Sequence, residues 1–456
     1  MAVLEKRTEM PVPPEELYRW HAREGAFERL VPPWERVEVL ERQGGIGDGG
    51  RLVMRNQIGP MPVTWVADHK EHVEGRQFQD VQTSGPFSRW VHTHRFEPVE
   101  GAPERSVLVD HIDYVLPAGA AGDLVAGAPV RERLERMFAW RHQRTLGDLQ
   151  RHADFAEKPR RTVAITGASG LIGRNLAAML STGGHSVRRL VRRAPRAPGE
   201  VRWDPEGGSI DLDGLAGVDA IVHLAGEDVA AGAWTDKRKE LILGSREKGT
   251  ALIADAAVKL RPEVLLSASA VGLYGDTGEL LVDEDGPHGS DFLATVCAKW
   301  EAAAEPARAA GLRVVHPRIG VVMSLERGPL EKLRLPYSLG LGGPVGTGRQ
   351  YMAWISLDDV VDSLYFMIMN GQISGALNAV SPAPVTSRGF ASTFGGVLGR
   401  PAVVPLPAFA VRAAFGEMGE WVLLRGQRVA PRRLQEAGFT WRFADLEATI
   451  RNELGL

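Results

Sequence analysis

The run Thr166-Gly167-Ala168-Ser169-Gly170-Leu171-Ile172-Gly173 constrains this chain more than any other stretch. An apolar segment with strand character, Thr162–Thr166, precedes it, and a helix-compatible segment, Leu171–Leu180, follows. In a strand–turn–helix unit the first glycine permits the tight turn. The second lets backbone N–H groups approach a pyrophosphate, and the third lets helix and strand pack closely. The positive end of the helix then faces the phosphates. A merely tight turn is the bland alternative. The flanking strand, the helix and a second strand ending about 20 residues on argue against it. Thr166, Gly167, Ser169, Gly170, Leu171, Ile172 and Gly173 are therefore expected to bind a dinucleotide.

The end of the next strand, Val187–Val191, selects between dinucleotides. An acidic side chain there suits the free ribose hydroxyl of NAD, whereas an arginine suits the 2′-phosphate of NADP. No Asp or Glu occurs from Arg174 to Gly199, and the strand runs into Arg192-Arg193. The expected cofactor is NADP(H), with Arg192 as first choice for the phosphate contact and Arg193 as second. A solvated arginine cluster is the alternative.

Strands alternate with helices through residues 161–384: Ala220–Leu224, Val264–Ser267 and Val314–Val322 against Lys237–Leu260 and Phe292–Ala310. That alternation predicts an α/β, doubly wound parallel sheet. Residues 1–152 differ. A helix start at Pro13-Pro14, six segments with strand character separated by turns such as Gly44-Gly45, Gly59-Pro60 and Gly85-Pro86, and a helical stripe over Pro129–His152 predict an α+β curved sheet gripping a helix. The polar stretch 153–160 reads as a linker, and 385–456 as a small, mostly helical appendage. Hydrophobic residues make up 44% and charged residues 24%, ordinary globular values, and a net charge of −3 gives no basic field for nucleic acid or anionic lipid. The single cysteine excludes a disulfide or a cysteine-based metal cluster. Early charges interrupt any signal-peptide core, and no apolar run reaches about 18 residues. A cytoplasmic protein without membrane partners is expected, its oligomeric state left open.

The glycine turn, with Val222-His223-Leu224-Ala225-Gly226, Leu266–Gly275, Pro317-Arg318-Ile319-Gly320 and Trp354–Val360, resembles the extended short-chain dehydrogenase/reductase superfamily, of the NAD-dependent epimerase/dehydratase type. Trp234-Thr235, Ser245-Arg246, Gly340–Gly348 and Gly426–Pro431 resemble its sugar-nucleotide epimerase-like subgroup, which carries its own C-terminal appendage. Residues 1–152 resemble the START-like, polyketide cyclase/dehydrase-like domains. The resemblance implies that Leu224, Ala225 and Gly226 line the cofactor, that Pro317 lies in a turn near the nicotinamide, and that Ser269 is the catalytic serine.

That superfamily also uses a Tyr-x-x-x-Lys pair for proton transfer. Here the six tyrosines are followed four residues later by Ala22, Ala118, Gly278, Leu341, Ile355 and Met369. Alignment on Trp300-Glu301 puts Leu293 and Cys297 at the missing pair. Tyr274 could supply a phenol, or be a packed loop aromatic. Cys297 could be an acid/base if its pKa were lowered, or inert core. Catalytic candidates are thus Ser269, Tyr274 and Cys297.

Eight of the twelve histidines lie in residues 1–152. His92 and His94 share a strand face and, with His111, could bind a metal. No further ligand at metal-like spacing is evident, so satisfied or exposed histidines and no metal are expected. Trp20, Trp34, Trp65, Trp90 and Trp140 could line a cavity for an apolar ligand or pack as core. Arg131, Arg133, Arg136, Arg141 and Arg144 read as the solvated face of the long helix. Three functions fit: an NADP(H)-dependent epimerase or oxidoreductase acting on a small molecule, a dinucleotide-binding sensor or scaffold without turnover, or an apolar-ligand carrier.

Overall fold

The computed structural model describes residues 1–59 and 61–456, so Pro60 of the Gly59-Pro60 turn lies outside the described residues. The chain divides into two compact units: Met1–Lys158 with Ser181–Gly184 and Asn452–Leu456, and Pro159–Leu180 with His185–Arg451.

The first unit begins with β1 (Ala2–Met10), α1 (Pro14–Ala22) and α2 (Ala26–Leu30). An antiparallel run follows: β2 (Val37–Gln43), β3 (Arg51–Ile58), β4 (Met61–Val73), β5 (Gln77–Ser84), β6 (Arg89–Val99) and β7 (Ala102–Val115). The strands form one sheet in the order β1-β7-β6-β5-β4-β3-β2. The long helix α3 spans Ala120–Ala153, two turns or more beyond the expected start, because Pro129 is accommodated inside it. Its Leu134 and Phe138 pack with Leu4, Trp90, Ile112 and Tyr114, and its Leu149 with Met10, Leu17 and Trp20. The expected arginine face needs correction. Arg144 is buried and stacks on Trp140 at 4.5 Å, and Arg141 donates through Nε to the Leu30 carbonyl at 2.9 Å. Alternating charge suggested a solvated face, but Arg141 is engaged by the end of α2 and Arg144 by Trp140.

The second unit is built on β8 (Thr162–Thr166), α4 (Leu171–Thr182), β9 (Ser186–Val191), β10 (Glu200–Asp204), β11 (Ser209–Ile210), β12 (Ala220–His223), α5 (Asp236–Leu260), β13 (Val264–Ser267), β14 (Ser269–Ala270) and α6 (Phe292–Ala302). The strand Val314–Ile319 lies beside β13 and β14, and Gly375–Ala379 pairs with it. All these pairings are parallel except β10–β11. The chain winds outward from β8 through β9 to β10, then returns to β12 on the other side of β8. This is a doubly wound sheet whose switch point lies between β8 and β12, where such folds open a ligand crevice.

The motif Trp354–Val360 is explained locally. Ser356 caps the helix Leu357–Met369, accepting from the Asp359 amide at 2.9 Å. Every residue of that helix is buried, so its acids need partners. Arg442 binds Asp362 through two bonds of 2.6 and 2.8 Å. The expected continuous strand Val314–Val322 and helix Phe292–Ala310 are each two elements, breaking at Gly320 and Ala303-Ala304. Among the described residues no helix is long and apolar enough to cross a membrane.

The first unit carries a buried ion pair. Arg29 donates to Asp148 through Nε at 2.7 Å and Nη2 at 2.6 Å, and both side chains are fully buried. Removing one partner of a buried ion pair costs about 3–5 kcal/mol. We expect Arg29→Met to lower the stability of the first unit by that amount, read as an earlier midpoint in the part of the urea transition belonging to residues 1–158.

Candidate functional site

The crevice at the switch point is closed at its base by one hydroxyl. Thr166 ends β8 opposite His223 of β12. Its Oγ1 accepts from the amides of Leu224 at 3.1 Å and Ala225 at 3.2 Å, and lies 2.7 Å from His223 Nδ1. The two loops that flank the crevice are thereby held in register. Burial pushes His223 down to about 3, so it is a neutral ring here.

The three glycines have different surroundings. Gly167 has φ of 67°, and a Cβ there would stand 2.9 Å from the Leu224 carbonyl carbon. At Gly173 a Cβ would meet the Gly167 oxygen at 2.3 Å, so the helix could not approach the turn. Around Gly170 the nearest atom to a Cβ is the Gly167 oxygen at 3.2 Å, and the flanking Ser169, Leu171 and Ile172 keep exposure to solvent. The turn is packed beneath and open above, which suits a diphosphate lying across the start of α4. Leu224, Ala225 and Gly226 border the same opening, with Gly226 exposed.

The two arginines after β9 separate. Arg193 donates to Glu200 at 2.8 Å through Nη1 and 2.5 Å through Nη2. Glu200 is the first acid after the acid-free stretch, and its partner across a tight loop consumes the second arginine. Arg192 is exposed, and among the described residues it has no hydrogen-bonding or ionic partner.

Ser269, Tyr274 and Cys297 all come from one neighbourhood but in different states. Ser269 opens β14, is buried, and its hydroxyl finds no hydrogen bond of good geometry, though it lies near enough to help keep Glu301 ionised. Tyr274 is buried, donates to Asn378 Oδ1 at 2.7 Å and accepts from Arg318 Nη1 at 2.8 Å. Burial raises its pKa. Arg318 also donates to both Glu301 oxygens at 2.8 and 3.0 Å. Burial opposes ionisation of Glu301, but the Arg318 bonds outweigh it and hold that carboxyl below its ordinary value. Cys297 lies on α6 under the Gly272 loop, where a Cβ on Gly272 would be 3.8 Å from its sulfur, and burial pushes the thiol up to about 12. Its alignment partner Leu293 lies against the same loop. Pro317 is buried within the Val314–Ile319 strand rather than in a turn.

Sequence reasoning missed four contributors. Glu301, Arg318 and Asn378 form the polar network around Ser269 and Tyr274, yet they lie on three separate elements. Arg246 is the fourth. It donates to the Glu227 and Ile242 carbonyls at 3.0 Å and stacks over Trp300 at 4.7 Å. Its charge acts on Cys297, and its guanidinium lies 3.2 Å from where a Gly226 Cβ would be. A fixed cation thus stands beside the position that lacks lysine. The paired Ser245-Arg246 was the signal available in the sequence.

Three families match parts of the chain: polyketide cyclase/dehydrase and lipid transport over residues 10–141, the NAD dependent epimerase/dehydratase family over 163–379, and a domain of unknown function, DUF1731, over 406–453. Epimerase family protein Mb2239 of Mycobacterium bovis is 46% identical over 277 residues, covering 61% of this chain and 92% of the relative. The crystal structure of the nucleoside-diphosphate sugar epimerase from Corynebacterium glutamicum is 34% identical with a TM-score of 0.81, covering 99% of this chain and 90% of that one. The structure of human epimerase family protein SDR39U1 (isoform 2) with NADPH is 36% identical with a TM-score of 0.60, covering 65% of this chain and 100% of that one. The switch-point crevice, the glycine turn and these relatives agree: the chain belongs to the NAD-dependent epimerase/dehydratase family, with a polyketide cyclase-like domain at its N-terminus.

Proposed function

We propose that the second unit binds NADP(H) and acts as an epimerase- or oxidoreductase-like enzyme on a small-molecule substrate, in the cytoplasm. The observation that carries this reading is the glycine turn, packed below and open above, with Arg192 unpaired at the end of the neighbouring strand. A guanidinium there can meet a 2′-phosphate through charge-assisted bonds. The NADPH held by the human relative supports the same choice. When bound, the nicotinamide accepts or supplies a hydride.

The chain's own residues do the rest. Thr166 fixes the two loops of the crevice. Ser269 offers a buried hydroxyl beside Glu301, a group that can donate to a developing oxyanion. Arg318 holds Glu301 ionised and at the same time fixes the Tyr274 phenol. With its thiol at about 12, Cys297 carries almost no thiolate at neutral pH and holds no proton that transfers readily. One observation favours a second reading, a dinucleotide sensor without turnover: the Tyr274 hydroxyl is already engaged on both sides.

NADPH should bind at least about tenfold more tightly than NADH, the scale of one hydrogen bond to a charged group. Calorimetric titration of wild type and Arg192→Ala checks this; the preference should collapse in the variant. Equal wild-type affinities would remove the NADP assignment. Gly170→Val should abolish dinucleotide binding while leaving the unfolding of residues 1–158 unchanged, because a branched side chain occupies the phosphate position.

Once an NADPH-dependent turnover is in hand, Ser269→Ala should cost about 10²-fold in kcat/KM. Cys297→Ala should change it little. In the native protein Cys297 should resist iodoacetamide at neutral pH and react fully after denaturation. A dead Cys297→Ala enzyme beside an active Ser269→Ala enzyme would reverse the roles.

A further inference from the structure

The first unit buries a polar cluster that no part of the dinucleotide chemistry uses. Its residues come from neighbouring strands by register. Asp80 of β5 stands opposite both His69 of β4 and His92 of β6, and His94 of β6 stands opposite Asp110 of β7. All five therefore project to one face of the sheet. His92, His94 and Asp110 are buried, and His142 of α3 reaches the same place. Burying this many ionisable groups is costly unless something compensates. His111, the third histidine that spacing suggested, stands opposite Thr93. It points to the other face and bonds to Glu5 at 2.9 Å.

We propose that Asp80, His92 and His94 form a binding site for a divalent first-row transition-metal ion. Asp80 Oδ2 lies 3.2 Å from His94 Nε2 and 3.7 Å from His92 Nδ1. One donor atom from each of the three residues lies within 4.8 Å of the other two. An ion about 2.0–2.2 Å from each donor needs separations of roughly 3.0–3.5 Å, so small side-chain movements close the triad. Two imidazoles and one carboxylate favour zinc, iron or cobalt over calcium or magnesium, whose ligands are oxygens.

The outer contacts have the arrangement that metal-bound histidines require. The far nitrogen of each ring meets one carboxylate: His92 Nε2 is 3.0 Å and His94 Nδ1 2.8 Å from Asp110 Oδ1. That His94 nitrogen is buried and lacks hydrogen-bond geometry, so the pair is close without being satisfied. Asp110 is held in turn by His142 Nε2 at 2.9 Å, and His142 Nδ1 lies 2.8 Å from the Thr8 hydroxyl. The free oxygen of Asp80 lies 2.6 Å from His69 Nε2. Such carboxylate–histidine contacts orient the ligands and raise their basicity. Phe78 stacks on His94 at 4.2 Å and fixes its ring.

Three protein ligands leave at least one position for water or substrate, the pattern of a reactive rather than a structural site. Access comes from the Asp80 side, whose side chain is 25% exposed. A surface cavity of about 500 Å³, lined by Asp48, Arg51, Asp68, His69 and Glu71 among others, opens beside His69.

The test uses the full chain, stripped with a chelator and titrated with Co²⁺ by visible absorption and with Zn²⁺ by calorimetry. About one ion should bind per chain, with proton release, and should raise the melting temperature. Asp80→Asn and His94→Gln should each weaken binding more than 100-fold. Asp110→Asn should weaken it about 10- to 100-fold, and His111→Ala should leave it unchanged. Asp80→Asn is near-isosteric and partly exposed, so it decides the matter if His94→Gln fails to fold. Wild type that binds neither ion at micromolar concentration, or binding that survives Asp80→Asn, overturns the site.

Discussion

The second unit depends on a single side chain at the point where its sheet changes direction. A doubly wound sheet leaves a gap where the chain departs to opposite sides, and loops there have no strand partner to fix them. Thr166 fills that role with one hydroxyl bonded to two successive amides of the Leu224–Ala225 loop. Each bond contributes on the order of 1 kcal/mol. Their value is positional, because Gly167 then packs against the same loop with no room for a side chain. Both contacts fix the loop that borders the crevice.

The neighbouring chemistry follows a different economy. A typical proton relay in this superfamily sets a lysine beneath a tyrosine. Here that position holds a thiol pushed up to about 12, and the charges lie elsewhere: Arg246 beside Gly226, and Arg318 between Glu301 and Tyr274. Arg318 is the residue that ties the network together, since it satisfies a buried carboxylate and a buried phenol at once. Low polarity around such a network strengthens each bond and makes each unpaired atom expensive. The Ser269 hydroxyl lies at the edge of this network, close to Glu301.

In the first unit the same rule operates with imidazoles. Alternation along β5, β6 and β7 sends Asp80, His92, His94 and Asp110 to the inner face, where Phe78 and Phe138 pack around them. The tryptophans proposed as a cavity lining mostly pack on one another instead: Trp65 meets Trp90 at 5.2 Å, and Trp34 meets Trp140 at 5.7 Å. Apolar walls and a polar centre give this unit a chemical character of its own.

Local sequence determined a good deal. The glycine spacing fixed the strand–turn–helix, because each glycine answers a contact within a few residues or across one parallel pairing. Alternating and helical periodicity named the two architectures, since they record which side of an element meets the core. The acid-free run to Arg192-Arg193 posed the cofactor choice. Tertiary structure decided what distant partners decide. Glu200 engaged Arg193 and left Arg192 free. Arg318 and Asn378 converged on Tyr274, and Glu301 on Arg318, from three elements. Strand register brought Asp80 to His92 and turned His111 away. A strand's own sequence tells which residues share a face, but which neighbour stands opposite is set by register and winding, and that information is spread over the whole sheet.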